Sequence, residues 1–453
     1  MNIKDSSPAD NSLQDAIDQA GSPLKFLWRP DAPAWHPPVV PAEFNGWRSE
    51  RQAWRERVAV LELSHHMSDL FIKGPDATRL LAEHSANNYK KFEINQAKQF
   101  IPVTEQGYII TDGILAREAD DQYTLTGPAG SQSWVLFHGL KGGYDVEFAY
   151  DPTSAERAGD PKLFRLQVQG PNALEVVERV FGGPLPPTKF FHAAVVDWNG
   201  AKIRALRHGM AGQAGYEFIG DFADEAGFKE ALLKAGEDLG IEQVGGLAYP
   251  TTSVESGWMA APIPGIYSAP ELREFRGWLS GAGWEARARP LHGSFFSDQL
   301  EDFYASPYEL GYGGVIDLDH EFVGRDALVQ AKDQVTRAKA TLEFNPDDAA
   351  ELIDGPDHGY FLDYGHYRVE ADDKLVGLAE YSTQIDQAGT VVSLGRLERE
   401  FAEPGTEVTV IYGEHPGPGS PVDAPFEHKR IRAIVRPTPY SSFARGGYRA
   451  AVV

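Results

Sequence analysis

Two side chains carry most of the chemistry this sequence offers, Glu217 and Tyr249, and each stands where the chain restricts its aim. Glu217 follows the turn RHGMAGQAG almost directly and sits in GYEF, among aromatics, where a strand should be half buried. A carboxylate there is either a solvated strand residue, which composition favours, or a bidentate acceptor for paired N–H donors on a ligand. Tyr249 precedes Pro250 at the head of a helix-like segment. Proline biases its predecessor toward extended backbone, which would fix where the tyrosine points. Such a tyrosine is ordinarily a packing residue. Its phenol, with a pKa of about 10, could also hand a proton to a leaving group of similar basicity.

Several other chemistries lack their residues. The chain has no cysteine, so disulfides, thiolate metal sites and a cysteine nucleophile are excluded. No metal is expected: HExxH-type spacing is absent, and His65 and His66, being adjacent, point in different directions. GMAGQAGYEF lacks the lysine of a phosphate loop, and no GxGxxG opens a helix. The 42 basic residues face 66 acidic ones, for a formal charge of −24, so neither nucleic acid nor an anionic membrane is an expected partner. An anionic substrate would need a basic residue inside its pocket. The N-terminal MNIKDSSPADNSLQDAIDQ lacks a signal peptide's apolar core, and no run of about 18 apolar residues occurs. A cytoplasmic location is expected.

The elements that must position Glu217 and Tyr249 read as follows. A chain of 453 residues exceeds one core and suits two or three domains. Residues 1–50 form an arm: a short capped helix from Ser12 to Ala20, then WRPDAPAWHPPVVPAEF, a strap too rich in proline for regular structure. Residues 51–337 form an α+β body of two interleaved subdomains. In it LFIKG is a strand followed by a helix with Pro75 near its start, GYIITDGILARE and QYTLTG pair as strands, and SQSWVLFHGLKGG is helical. FIKGPDATRLL and QVQGPNALEVV share one grammar, strand, Gly-Pro, helix; this is either an internal duplication or a common junction that arose twice. AKIRALRHGMAGQAGYEFIGDF gives two strands around a Gly-rich turn, and DHEFVGRDALVQAKDQ a last strong helix. From 338 to 453, alternation and Gly/Pro turns predict a separate β-rich domain. The mixed order of strands and helices makes the class α+β rather than doubly wound.

Taken in order, SHHMSDLFIKGPDATRLL, QGPNALEV, RHGMAGQAGYEF, GGLAYPTTSVESGW and EFVGRDAL resemble the glycine cleavage T-protein family of folate-dependent enzymes, over roughly residues 50–450. Within that family the chain is most similar to tetrahydrofolate-dependent aromatic O-demethylases, such as those acting on vanillate and syringate. The strap and the H-M-S/T-D-L phrase are shared with them. The resemblance implies a multidomain cloverleaf with a barrel-like C-terminal domain, tetrahydrofolate as cofactor, a methoxylated aromatic small molecule as methyl donor and no carrier protein. It makes Glu217 the carboxylate that takes the pterin N–H groups, which reverses the reading from composition, and adds Gln167 and Tyr216 to that pocket. It places His66 and Trp258 on the substrate side, with Tyr249 as catalytic acid and His66 orienting or relaying.

Three departures matter. Aminomethyltransferases of the family carry two acidic residues in the phrase that reads here GYIITDGIL, where Thr111 replaces the first and only Asp112 is kept. They also carry an arginine at the Tyr249 position, so aminomethyl transfer is disfavoured. Vanillate-type enzymes hold the benzoate carboxylate with an arginine after L-x-G, whereas here TLTGPAG has Pro128. Either another residue such as Arg117 takes that role or the substrate has no carboxylate there. A sulfonium or N-methyl donor, which would make Tyr249 dispensable, and a non-catalytic folate-binding protein are the alternative readings.

Overall fold

Strand, Gly-Pro, helix is one piece of architecture used twice in the computed structural model, which describes residues 9–33, 35–259, 262–287, 289–353 and 359–450. After β1 (Val58–Glu62), a first unit runs β2 (Ser68–Lys73), a helix Ala77–Glu83, β3 (Ala97–Phe100), β4 (Gly113–Ala119), β5 (Gln122–Gly127), a helix Ala129–Lys141 and β6 (Glu147–Asp151). A second runs β7 (Leu163–Gln169), a helix Ala173–Phe181, β8 (Ala193–Trp198), β9 (Ala201–Leu206), β10 (Gly215–Asp221), a helix Glu225–Ala235 and β11 (Ile241–Val244). The sheets have the orders β3-β4-β5-β2-β6 and β8-β9-β10-β7-β1-β11, the same arrangement except that β1 is inserted in the second. Shared topology favours duplication over chance. The junction glycines are required: Gly74 and Gly170 have φ of +146° and +135°, and a Cβ would stand 2.3 and 2.6 Å from the carbonyl oxygens of Asp145 and Arg57.

Strand alternation divides each sheet into an apolar and a polar face. Phe164, Leu166 and Val168 of β7 and Tyr216 and Phe218 of β10 pack with Val176, Phe228 and Leu232 of the covering helices. Full burial of each such side chain stabilises the fold by about 1.5–3 kcal/mol. The intervening residues, Arg165, Gln167 and Glu217, are buried but polar. Arg165 crosses to the other sheet, donating to Asp69 of β2 (2.6 Å) and Thr126 of β5 (2.9 Å). The edge strands also meet, through Ala97 N–H to Phe191 O and Ala193 N–H to Asn95 O, each 2.7 Å. The polar faces of the two units therefore look toward one another.

The C-terminal strands are β12 (Arg337–Phe344), β13 (Leu362–Asp363), β14 (Tyr367–Ala371), β15 (Lys374–Ile385), β16 (Thr390–Glu398), β17 (Glu407–Gly413) and β18 (His428–Arg436). Six of them close a ring, β15-β14-β17-β18-β12-β16 and back to β15, around Leu342, Val369, Val391, Val410 and Val435. Closure leaves no open edge. The expected α+β class and C-terminal barrel are both present. Two helices in this region, Pro346–Ile353 and Ser442–Ala450, were not expected from its alternation, and the helix expected in DHEFVGRDALVQAKDQ is only Arg325–Ala331.

The arm has its capped helix, Leu13–Ala20, closed by reciprocal hydrogen bonds between Ser12 and Asp15. The strap is pinned down at both ends. Trp28 bridges to Leu291, and the carbonyls of Pro41 and Ala42 accept from Gly246 and Leu247 at 2.8 and 3.0 Å. Among the described residues no helix is long and apolar enough to cross a membrane.

Candidate functional site

A cavity of about 850 Å³ lies between the facing polar sheets and is completed by β12 and the helix Ser442–Ala450. Glu217 and Gln167 line it from adjacent strands, β10 and β7, at paired register. Gln167 Nε2 donates to Glu217 at 2.7 Å while its Oε1 accepts from Met210 N–H at 2.8 Å. The amide thus links the Gly-rich turn to the carboxylate and fixes its orientation. That turn needs its glycines: a Cβ at Gly209 would overlap the Gln169 amide, and Gly215 has φ +138° against the Val168 carbonyl.

Asp112, at the start of β4, also lines the cavity. Its Oδ2 accepts from Gln99 Nε2 (2.5 Å), Trp258 Nε1 (2.7 Å) and the Tyr312 hydroxyl. Its Oδ1 is buried with no partner among the described residues. Burial pushes this carboxyl above the usual range, and the three donors pull it part of the way back. A buried acceptor held rigidly without a donor is a place for a ligand N–H. Trp258, expected on the substrate side, spends its indole N–H on Asp112 and lines this same cavity.

Tyr249 and His66 meet beside Met67, a cavity residue: His66 Nε2 lies 2.9 Å from Tyr249 Oη, with the rings edge-on at 4.7 Å. Trp35 of the strap packs edge-on against His66 at 5.6 Å. Burial, with His65 and Arg165 adding to it, holds the His66 imidazole down to about 3, so it is neutral at ordinary pH. Burial, then Glu217, pushes the Tyr249 phenol far above its normal range, so it keeps its proton. His66 Nδ1 is buried without a partner among the described residues. Tyr249 is not extended as its proline neighbour predicts; it opens a 3-10 turn, Tyr249–Thr251. Tertiary bonds override the local bias, because Tyr249 N–H donates to Gly245 O (3.0 Å) and Thr252 Oγ1 donates to Tyr249 O (2.7 Å).

Two expected residues lie elsewhere. Tyr216 is on the opposite face of β10 from Glu217, in the core with Phe218 and Val168, because successive side chains of a strand alternate. Arg117 does not reach the cavity: its guanidinium donates to the carbonyls of Phe92 (2.5 Å) and Asp120 (3.0 Å), bracing the β4–β5 hairpin. The cations that do line the cavity are Lys98, Lys339 and Arg449. Lys339, on β12, donates to Gly257 O at 2.6 Å, and burial lowers its ammonium to about 8. Arg449 lies over the Phe190 ring at 5.6 Å on a helix that Tyr448 docks onto Gly209. Pro128 lines the cavity at the head of the helix Ala129–Lys141. Among the described residues no cluster of three or more metal-binding side chains occurs.

The sequence matches the family model described as the GCVT N-terminal domain over residues 18–262. It is 35% identical to the syringate O-demethylase of Sphingobium sp. (strain NBRC 103272 / SYK-6), over 96% of this chain and 97% of that protein. It is 28% identical to the sesamin methylene transferase of Sinomonas sp. (strain No.22), over 88% and 90% of the two chains. An aminomethyltransferase of Lysinibacillus sphaericus is 26% identical over 82% of this chain and 87% of its own. The crystal structure of the glycine cleavage aminomethyltransferase T of Bartonella henselae has the same fold, with a TM-score of 0.62 over 92% of this chain and 95% of that one at 17% identity.

Proposed function

The chain belongs to the GCVT family, and we propose that it is a tetrahydrofolate-dependent O-demethylase, moving a methyl group from a methoxylated aromatic compound to N5 of tetrahydrofolate and leaving a phenol. One observation carries this reading: a buried tyrosine acid, positioned by a neutral histidine, stands beside a cavity walled by two fixed carboxylates. The cavity fits the folate chemically. Glu217, oriented by Gln167, and the unpartnered Asp112 Oδ1 would take the N–H groups of the pterin, and Lys339 and Arg449 would face the anionic tail. When bound, tetrahydrofolate supplies the nucleophilic nitrogen.

The protein's own part is to hold, to dry and to protonate. A phenoxide is a poor leaving group at neutral pH, so the departing oxygen needs a proton as its bond to the methyl carbon breaks. Tyr249 Oη is the donor. Burial alone would make it too weak an acid for a hydrated phenoxide, but an oxygen in the same dry region has its own pKa raised by the same cause. The match near equal pKa therefore survives. In the tautomer that carries its proton on Nε2, neutral His66 donates to Tyr249, which leaves the phenol proton for the methyl donor and steadies the phenolate that remains. Trp35 packs edge-on against His66 from the strap side.

Purified protein incubated with tetrahydrofolate and vanillate, syringate or guaiacol is expected to give 5-methyltetrahydrofolate and demethylated phenol in equal amounts. Bound folate with no product from any of these would overturn the reading in favour of another donor or a binding protein. The same assay has a pH signature. A histidine held down to about 3 stays neutral at every pH above that value, so kcat should be flat between about pH 5 and 8. A step in kcat near the ordinary imidazole pKa would contradict a neutral His66.

A further inference from the structure

Asp112 takes three donors on one carboxylate oxygen, and two of them come from residues that follow neighbours of a single ammonium, that of Lys339. Trp258 follows Gly257, whose carbonyl accepts from Lys339 Nζ at 2.6 Å. Tyr312 follows Gly311, and a Cβ on Gly311 would stand 3.8 Å from that same Nζ. Lys339 is half-buried on β12 and lines the cavity, as Asp112 does. By reaching Gly257 from the barrel, it also ties that domain to the segment that begins at Tyr249.

The lysine has a local reason to be there. Gly257 closes the helix Thr252–Ser256 in left-handed backbone, φ +70°, and the last carbonyls of a helix need donors from outside it. An ammonium supplies one, with a positive charge at the helix's negative end. That charge also bears on the carboxylate, because Asp112 attracts the Lys339 ammonium while Arg449 repels it. Asp112 is buried, and burial favours its protonated form. A proton on Oδ1 would turn the unpartnered oxygen from an acceptor into a donor. A cation nearby favours the ionised form, which keeps that oxygen open to a ligand N–H.

We propose that Lys339 is a positioning residue for the pterin, with a task besides facing the anionic tail: it braces Gly257 so that Trp258 stays on Asp112 Oδ2, and it supplies the charge that keeps Asp112 Oδ1 an acceptor. This rests on the folate reading and deepens it. Other cations around Lys339 and the cavity do not share the task. Arg396, opposite Lys339 on β16, is bound to Glu380, and Arg337, two residues along β12, is bound to Glu309. Lys98 is drawn to Asp317 rather than to Asp112.

The test is a double-mutant cycle on tetrahydrofolate binding, measured by calorimetry on the full chain with Lys339→Met, Asp112→Asn and the two combined. Lys339→Met should raise Kd about tenfold in the parent but less than about twofold in Asp112→Asn, since the gain of a charge-assisted hydrogen bond over an ordinary one is then already lost. The tenfold loss should recur with 6-methyltetrahydropterin, which has no anionic tail, and Lys339→Arg should recover part of it. Equal losses in both backgrounds, or a loss confined to tetrahydrofolate, would leave Lys339 a tail contact and overturn the proposal. Should Lys339→Met not fold, the parent carries the same test. Burial lowers the ammonium to about 8, so its charge is lost between about pH 7 and 9, and Kd should rise over that range in the parent but not in Asp112→Asn. A Kd that stays flat, or rises equally in both, would overturn the proposal. Absence of product from every methoxyarene would fail the O-demethylase reading by itself, and these affinities would still judge Lys339.

Discussion

Tyr249→Phe is expected to lose about 10²- to 10⁴-fold in kcat while binding tetrahydrofolate with near-parental affinity. The range is that of a positioned proton donor, and the split follows from where the hydroxyl points. Tyr249 Oη contacts His66 and does not line the cavity that holds Glu217 and Asp112. Phenylalanine keeps the ring that packs edge-on to His66, so the core with Trp54, Leu61 and Val244 should survive. The change does leave His66 Nε2 without the partner it has among the described residues, a local cost of about 1–3 kcal/mol for a buried polar group. Steady-state kinetics with 5-methyltetrahydrofolate as the readout, paired with a folate titration, would check both halves. Parental turnover would move the acid elsewhere or point to a sulfonium or N-methyl donor. Lost folate binding would make Tyr249 part of the acceptor pocket instead.

Glu217→Gln should show the opposite pattern, with affinity for tetrahydrofolate falling about 100-fold. Two charge-assisted hydrogen bonds at about 1.5 kcal/mol each account for that factor. The substitution keeps the shape of the side chain, and Arg165, 3.7 Å from Glu217, retains its shorter bond to Asp69, so no cation is stranded. Calorimetry with tetrahydrofolate measures the loss. An unchanged Kd would mean that Glu217 is a structural partner of Gln167 and Arg165 only. A fall in syringate binding of similar size would mean the two ligands share this wall.

What could be read from the sequence, and what could not, follows the range of the interactions. Glu217 was legible because a Gly-rich turn and a strand are local patterns, and Gly209 and Gly215 do carry the turn that presents it. Tyr216 was misplaced although the same local rule decides it: a residue one position from Glu217 on a strand must face the other way. Tyr249 was legible as a type in a place, but its 3-10 turn depends on Gly245, which the local proline rule does not see. Lys339 and Arg449 carry no local signal. They reach the site through barrel closure and a C-terminal helix, contacts that join residues far apart in the chain. The duplicated Gly-Pro junctions were visible from the start, yet only the strand order showed that whole units repeat. The proline-rich strap was readable from composition, while the meeting of Trp35 with His66 was not.

The central claim is that a methyl group passes intact from an aryl ether to tetrahydrofolate at a site where Tyr249 protonates the oxygen left behind. A methoxylated benzoate carrying ¹³C and deuterium throughout its methoxy group tests this most directly, with the product read by mass spectrometry. Direct transfer predicts 5-methyltetrahydrofolate that contains the ¹³C and all of the deuterium. Recovery of the carbon with part of its deuterium lost, or as free formaldehyde, would show that the carbon is oxidised on the way and would contradict the account.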